Sequence, residues 1–324
     1  MGPETAPPPK LPCIDLSSDE LIPGTQLWDR TAAEVLHASA KFGFFEAVYP
    51  AIDAFERRVL FAMLAELFAL PLETKWRNTH DRPYHGFIGR LPNNPLYESL
   101  GVDLADDAEE VDRFTGLMWP QGNPSFSETI NTFIKKLMKM ERMVIRMILE
   151  GLGVGNHFES LNGTLNPLLR VMEYKPPASS PDAVIGLKPH TDMNFITVLC
   201  ENSGGLEVLI DDGGGSGGAF APLVATMPGS LFVFIGDAFM AWSNGRLRSV
   251  PHQVVLREDK PRLSAGLFMV PEGGWMIEAP EELIGNENPR RLYRPFEYFD
   301  ILSRCYPNPT NMSGQQVFNE LLRL

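Results

Sequence analysis

The run Phe195-Ile196-Thr197-Val198-Leu199-Cys200, the break Asn202-Ser203-Gly204-Gly205 and the run Leu206-Glu207-Val208-Leu209-Ile210 decide how the second half of the chain is read. Each apolar run is short, carries β-branched residues and ends at turn formers, which is the signature of a strand. The same grammar extends outward to residues 168–174, 230–235, 252–256 and 263–270, parted by Gly, Pro, Asn and Asp. Asp211-Asp212-Gly213-Gly214-Gly215-Ser216-Gly217-Gly218 reads as an extended hairpin turn. A phosphate-cradling loop is the rival, but no Lys-Ser/Thr follows and no helix opens after it.

The first half reads differently. Helices are expected over 25–42, closed near Gly43, and over 52–70, stopped by Pro71. The second carries Phe55, Val59, Met63, Leu67 and Leu70 as its expected buried stripe. A long helix is expected over 125–150, with Phe126, Ile130, Phe133, Leu137, Met140, Val144 and Ile148 on one face and Gly151 at its C-cap. Between them, 77–122 reads as turn-rich, and the acidic run 104–112 as a solvated face or loop. Residues 1–10 form a proline-rich, flexible lead-in, and 11–16 a short strand. Helices followed by many short strands indicate an α+β chain whose β portion closes as a barrel or double-sheet jelly roll.

The 324 residues carry 28 basic and 41 acidic side chains, a net charge of −13, with 44% hydrophobic and 21% charged residues. That balance is globular rather than disordered. The negative excess argues against nucleic-acid partners and against docking on anionic membranes. Cys13, Cys200 and Cys305 are too few and too far apart for a disulfide framework or a cysteine zinc site. Met1-Gly2-Pro3-Glu4-Thr5-Ala6 lacks signal-peptide features and no apolar run reaches membrane-span length, so a cytoplasmic location is expected. Oligomeric state is not readable.

Chemistry concentrates in the strand-like half. In Lys188-Pro189-His190-Thr191-Asp192-Met193, strand alternation would turn His190 and Asp192 to one side and Thr191 to the other. His252 could add a second imidazole, giving a face of two His and one carboxylate that suits non-haem Fe(II). Beyond it, Pro261-Arg262-Leu263-Ser264 places a guanidinium and a hydroxyl on one face, a match for a carboxylate. An isolated His-x-Asp is common, and Arg262 alone reads as a surface residue. The ordered set is much harder to obtain by accident. His37 and His157 read as surface or packing residues, while His85, beside Pro83, is a weaker pocket candidate.

Several segments resemble the plant 2-oxoglutarate- and Fe(II)-dependent dioxygenases, which share the isopenicillin N synthase-like fold. They are Leu169-Arg170-Val171, Tyr174-Lys175-Pro176-Pro177, His190-Thr191-Asp192, Gly205-Leu206-Glu207-Val208, Gly236-Asp237, Trp242-Ser243-Asn244-Gly245-Arg246, Pro251-His252 and Arg262-Leu263-Ser264, with Phe42-Gly43-Phe44-Phe45 and Asn94-Pro95-Leu96-Tyr97-Glu98-Ser99 nearer the N-terminus. Leu67-Phe68-Ala69-Leu70-Pro71-Leu72-Glu73-Thr74-Lys75, Arg82-Pro83-Tyr84 and Leu292-Tyr293-Arg294-Pro295-Phe296 are similar to the branch with the glucosinolate side-chain dioxygenases. Auxin-oxidising dioxygenases are more distant neighbours.

The resemblance implies a double-stranded β-helix (jelly-roll) core braced by helices. One dioxygenase domain would span 11–324: a mainly helical part over 11–164, the core with its metal site over 165–275, and a helical tail over 276–324. It implies Fe(II) on His190, Asp192 and His252, with O2 and 2-oxoglutarate as cosubstrates and ascorbate as a support. The distal carboxylate of 2-oxoglutarate would meet Arg262 and Ser264, with Tyr174 a further contact. Met172 stands where the family usually has Asn, and Lys175 looks inserted before the prolines. Phe268 matches a position that often touches substrate and also reads as core. The implied reaction is oxidation of a small molecule, coupled to decarboxylation of 2-oxoglutarate to succinate and CO2. A plant specialised metabolite is the expected substrate, and a hormone such as an auxin the alternative. Two other readings share the sequence: an iron oxidase independent of 2-oxoglutarate, and a non-catalytic binding protein on the same fold.

Overall fold

The computed structural model describes residues 11–91, 94–176, 183–210, 218–285, 290–305 and 314–324. The lead-in 1–10 and all of the glycine-rich turn but Gly218 lie outside them. Strand β1 (Cys13–Asp15) is followed by α1 (Gln26–Lys41), β2 (Phe44–Val48), α2 (Ala54–Ala69) and α3 (Leu72–Lys75). Thr25 caps α1 by accepting from the Trp28 amide, and Gly43 ends it at φ 80°. A Cβ at Gly43 would stand 2.5 Å from the Arg248 carbonyl oxygen, so glycine is required by conformation and by space.

The expected stripe on α2 is corrected. Leu60, Leu64, Leu67 and Phe68 are buried, whereas Phe55 is 64% exposed and Val59, Met63 and Leu70 are half-buried. This helix is apolar on more than one side, so two stripes overlap, and packing against the long helix selects one of them.

The turn-rich stretch also differs from expectation. It contains β3 (Ile88–Leu91), β4 (Asn94–Val102) and α4 (Ala108–Met118). The acidic run is solvated over most of its length, but its second half opens α4: Asp107 is the N-cap, and Glu109 and Glu110 lie in the first turn. Acidic side chains there complement the helix dipole.

Helix α5 (Pro124–Gly151) buries every residue of its expected stripe. It ends one residue later than expected, with Leu152 at the C-cap. The short α6 (Phe158–Asn162) leads to β5 (Leu165–Tyr174), β6 (Val184–His190), β7 (Ile196–Glu201), β8 (Leu206–Ile210), β9 (Ala219–Pro222) and β10 (Leu231–Ile235). Then come α7 (Asp237–Trp242), β11 (His252–Leu256), β12 (Arg262–Pro271), β13 (Met276–Ile277), β14 (Phe296–Glu297), α8 (Tyr298–Cys305) and α9 (Gly314–Leu322). The tail is therefore mixed, since β13 and β14 pair antiparallel ahead of α8 and α9.

Two sheets form the jelly roll. The larger has the order β1-β2-β10-β7-β12-β5-β4-β3 and the smaller β6-β11-β8-β9. The mainly helical first half thus supplies four strands to the larger sheet, a contribution its composition conceals. Between the sheets lies one core, with Phe44, Met172, Tyr174, Phe232 and Phe234 from the larger sheet and Leu206, Val208 and Val254 from the smaller. On the outer face, α1, α2, α4 and α5 bury a second and larger core.

Candidate metal and cosubstrate site

His190 ends β6 and His252 begins β11, and the two are direct partners across the antiparallel pair. Their ring centroids lie 4.3 Å apart. Asp192 does not share a strand with His190, because β6 stops at His190 and the chain turns there. The loop, rather than strand alternation, brings the carboxylate round. Its Oδ1 lies 3.8 Å from His190 Nε2 and 3.7 Å from His252 Nε2. One ligand atom from each of the three residues falls within 4.8 Å of the others, a set able to hold a metal ion.

The surroundings orient these groups. His190 Nδ1 lies 2.9 Å from the Lys188 carbonyl, and His252 Nδ1 3.2 Å from the Val250 carbonyl. Carbonyl partners place the proton on Nδ1 and leave both Nε2 lone pairs facing Asp192. Burial, reinforced by neighbouring His190, lowers His252 to about 4, so the imidazole is neutral at physiological pH. Thr197 Oγ1 donates to Asp192 Oδ2 at 2.6 Å, leaving Oδ1 toward the imidazoles.

Beneath this face, Thr191 donates to Asp237 Oδ2 at 2.8 Å, and the Asp237 amide donates to the Asp192 carbonyl at 2.8 Å. Asp237 is fully buried, and burial raises its carboxyl to about 7 against the lowering effect of Ser249 and Thr191. Gly236 admits the loop, since a Cβ there would stand 1.9 Å from the Asn194 carbonyl oxygen. Asn194 fastens the same loop through a 2.7 Å bond to the Ile196 carbonyl.

Arg262 and Tyr174 are cross-strand partners on β12 and β5, and the guanidinium carbon lies 5.1 Å from the Tyr174 ring centre. Arg262 Nη1 donates to Ser264 Oγ at 3.4 Å, Nη2 donates to Glu201 Oε2, and the buried Nε has no hydrogen-bond partner. The Tyr174 hydroxyl is buried beside Met172 Sδ at 3.9 Å, and burial raises its pKa. Phe268 is half-buried on the same sheet face, opposite Thr197 and Leu168. His85 is not one of the three converging ligands. It lines, with His80 and Asp103, a cavity of about 340 Å³ beside α4.

Residues 166–271 match the 2OG-Fe(II) oxygenase superfamily, and residues 11–106 match the N-terminal region described as non-haem dioxygenase in morphine synthesis. The "probable 2-oxoglutarate-dependent dioxygenase AOP1.2" of Arabidopsis thaliana is 40% identical over 302 residues, covering 90% of each chain. The chain belongs to the 2-oxoglutarate- and Fe(II)-dependent dioxygenases.

Among solved structures of this dioxygenase fold, the rice dioxygenase for auxin oxidation is 30% identical, with a TM-score of 0.78 over 96% of this chain and 99% of the other. The corresponding Arabidopsis thaliana enzyme, solved with 2-oxoglutarate, is 26% identical, with a TM-score of 0.74 over 87% and 100%. As a dioxygenase, the protein is an oxidoreductase that uses Fe(II) and 2-oxoglutarate on a small-molecule substrate. Two imidazole nitrogens with one carboxylate oxygen fit that metal, and a buried guanidinium with an unpartnered N–H fits a carboxylate. Glu201, Thr197, Asn194 and Asp237 belong to the site although their local sequence scarcely announces them. Only the Gly236-Asp237 dipeptide carried a signal. Among the described residues no helix is long and apolar enough to cross a membrane.

Proposed function

We propose that His190, Asp192 and His252 hold the Fe(II), and that Arg262 and Ser264 hold the distal carboxylate of 2-oxoglutarate, with Tyr174 as a packing contact. The observation that carries this reading is the convergence of the three ligand atoms, with both Nδ1 positions already engaged. When bound, the iron supplies O2 activation and oxidation of the substrate, coupled to decarboxylation of 2-oxoglutarate. The chain's own groups do the positioning. The His252 imidazole is kept neutral for ligation, Thr197 fixes one Asp192 oxygen, and the core between the sheets excludes water. Phe268 stands on the pocket face and bounds the substrate.

The substrate class we infer is a plant specialised metabolite, supported by 40% identity to the Arabidopsis relative against 30% to the rice auxin dioxygenase. The eight-stranded sheet shared by both halves supports one catalytic domain over 11–324. A cytoplasmic enzyme without nucleic-acid or membrane partners accords with the net charge of −13. Purified protein with Fe(II), ascorbate and 2-oxoglutarate should form succinate, and untargeted metabolite profiling should show one compound gaining oxygen or losing hydrogen. His190→Ala should abolish both. Turnover untouched by that substitution would overturn the ligand assignment. Consumption of indole-3-acetate in preference to other compounds would move the substrate to the hormone class.

A further inference from the structure

Arg170 lies on β5, four residues before Tyr174, so its side chain leaves the same face of the sheet. Its cross-strand neighbours are Gly101 on β4 and Gly266 on β12, so no side chain stands directly beside it on either strand. The residue is 4% exposed. Nη2 donates to Ser99 Oγ and Nη1 to the Gly86 carbonyl at 3.4 Å, both uncharged acceptors. Among the described residues no carboxylate lies within ion-pair distance of it. The other buried cations on this sheet and its flank are matched, Lys75 by Glu98 and Arg262 by Glu201. A desolvated guanidinium without a counter-charge is strongly unfavourable, so this one calls for an anion.

Its position says whose anion. A Cβ at Gly101 would stand 2.2 Å from the His85 carbonyl oxygen, so the loop carrying Tyr84, His85 and Gly86 lies directly over this part of the face. Phe299 of α8 packs on that loop, its ring centre 5.7 Å from that of His85. Arg170 shares the sheet face with Phe268. It stands two strands, roughly 10 Å, from β7, whose Thr197 holds Asp192. Arg262, the candidate cosubstrate cation, is four register steps away along β12, so the two guanidiniums serve different ligands.

We propose that Arg170 is the anion-recognising residue of the substrate pocket and that the substrate is a small organic molecule bearing an oxyanionic group. Its remaining N–H groups take that oxyanion, a geometry guanidinium provides better than ammonium. This rests on the metal and cosubstrate assignment proposed above.

Crystals soaked in sodium bromide test the site without any turnover. An anomalous bromide peak within contact distance of the Arg170 guanidinium is expected in the wild-type protein and in Arg170→Lys, and none in Arg170→Gln. In the second arm, the compound consumed in profiling is compared with its methyl ester. The ester should show a KM about 30-fold or more above the acid in the wild-type enzyme, the scale of losing one partner of a buried charge pair, and a ratio near one in Arg170→Gln. A role confined to tethering the 84–86 loop would lower Tm in Arg170→Gln while leaving no bromide at Arg170 and the ester ratio unchanged, and that result overturns the proposal. Absence of succinate formation in the wild type would sink the oxygenase assignment, and the bromide arm would still decide Arg170.

Discussion

Thr197 donates a 2.6 Å hydrogen bond to Asp192 Oδ2 from a strand that neither His190 nor His252 occupies. The carboxylate is therefore aimed by the larger sheet, while the two imidazoles are paired within the smaller one. The metal face exists only where the sheets meet. Thr197→Val removes the donor at nearly constant volume, and Fe(II) affinity should fall about 10–100-fold, the usual range for a lost outer partner. Direct metal titration would show it, and Thr197→Ser should restore most of the affinity. Equal affinity in all three proteins would mean that Asp192 is oriented by its loop alone.

A related test isolates that loop. Thr191→Val leaves Asp237 fully buried with one partner fewer, and its Oδ1 already has none. Stability should drop by about 1–3 kcal/mol, the cost of an unsatisfied buried acceptor. Urea unfolding with an unchanged slope and a lower midpoint is the expected result. A midpoint equal to that of the wild type would show that Asp237 does not depend on the Thr191 hydroxyl.

How much of this was legible in the chain follows from the range of each signal. The Arg262–Ser264 pair and the α5 stripe are written in local spacing, whereas Asp192 reaches His190 through a turn and His252 joins them only through the β6–β11 pairing. Glu201 meets Arg262 only through the β7–β12 register, which sets Glu201 opposite Ser264. Nothing near Glu201 in the sequence announces that. Strand β4 was hidden for the same reason. Its hydrogen bonds come from β3 and β5 rather than from its own turn-like text of Asn, Pro and Gly. The face of α2 was misread because an apolar residue falls on two sides of that helix, and only the neighbour decides which side is inside.

Glu201 makes a prediction of its own. Its carboxylate already pairs with the guanidinium that a second carboxylate would share, and burial raises its pKa against the lowering effect of Arg262. Glu201→Gln removes the competing charge, so 2-oxoglutarate should bind several-fold more tightly. Arg262→Gln should weaken binding by about 100-fold or more, consistent with losing one member of a buried ion pair. Isothermal titration with the metal-loaded protein distinguishes them. Weaker binding in Glu201→Gln would show instead that Glu201 presents Arg262 to the cosubstrate.

Glu141 gives the clearest dependence on pH. It is fully buried on α5, neither of its oxygens has a hydrogen-bond partner, and burial raises its carboxyl from 4.5 to about 8. The folded chain therefore holds a proton that the unfolded chain releases above about pH 4.5. Between those values the folded state binds more protons than the unfolded one, so stability declines as pH rises, by at most about 1.4 kcal/mol per pH unit. The stabilising contribution is complete below 4.5 and gone once pH passes about 8. Asp237, raised to about 7, adds a slope of the same sign over a narrower window. Glu141→Gln keeps the shape and cannot ionise, so it should flatten most of the decline and leave the Asp237 part. Urea denaturation of both proteins at pH 5.5, 7 and 8.5 measures the two slopes. Parallel slopes would mean that Glu141 is ionised and paired in the folded protein.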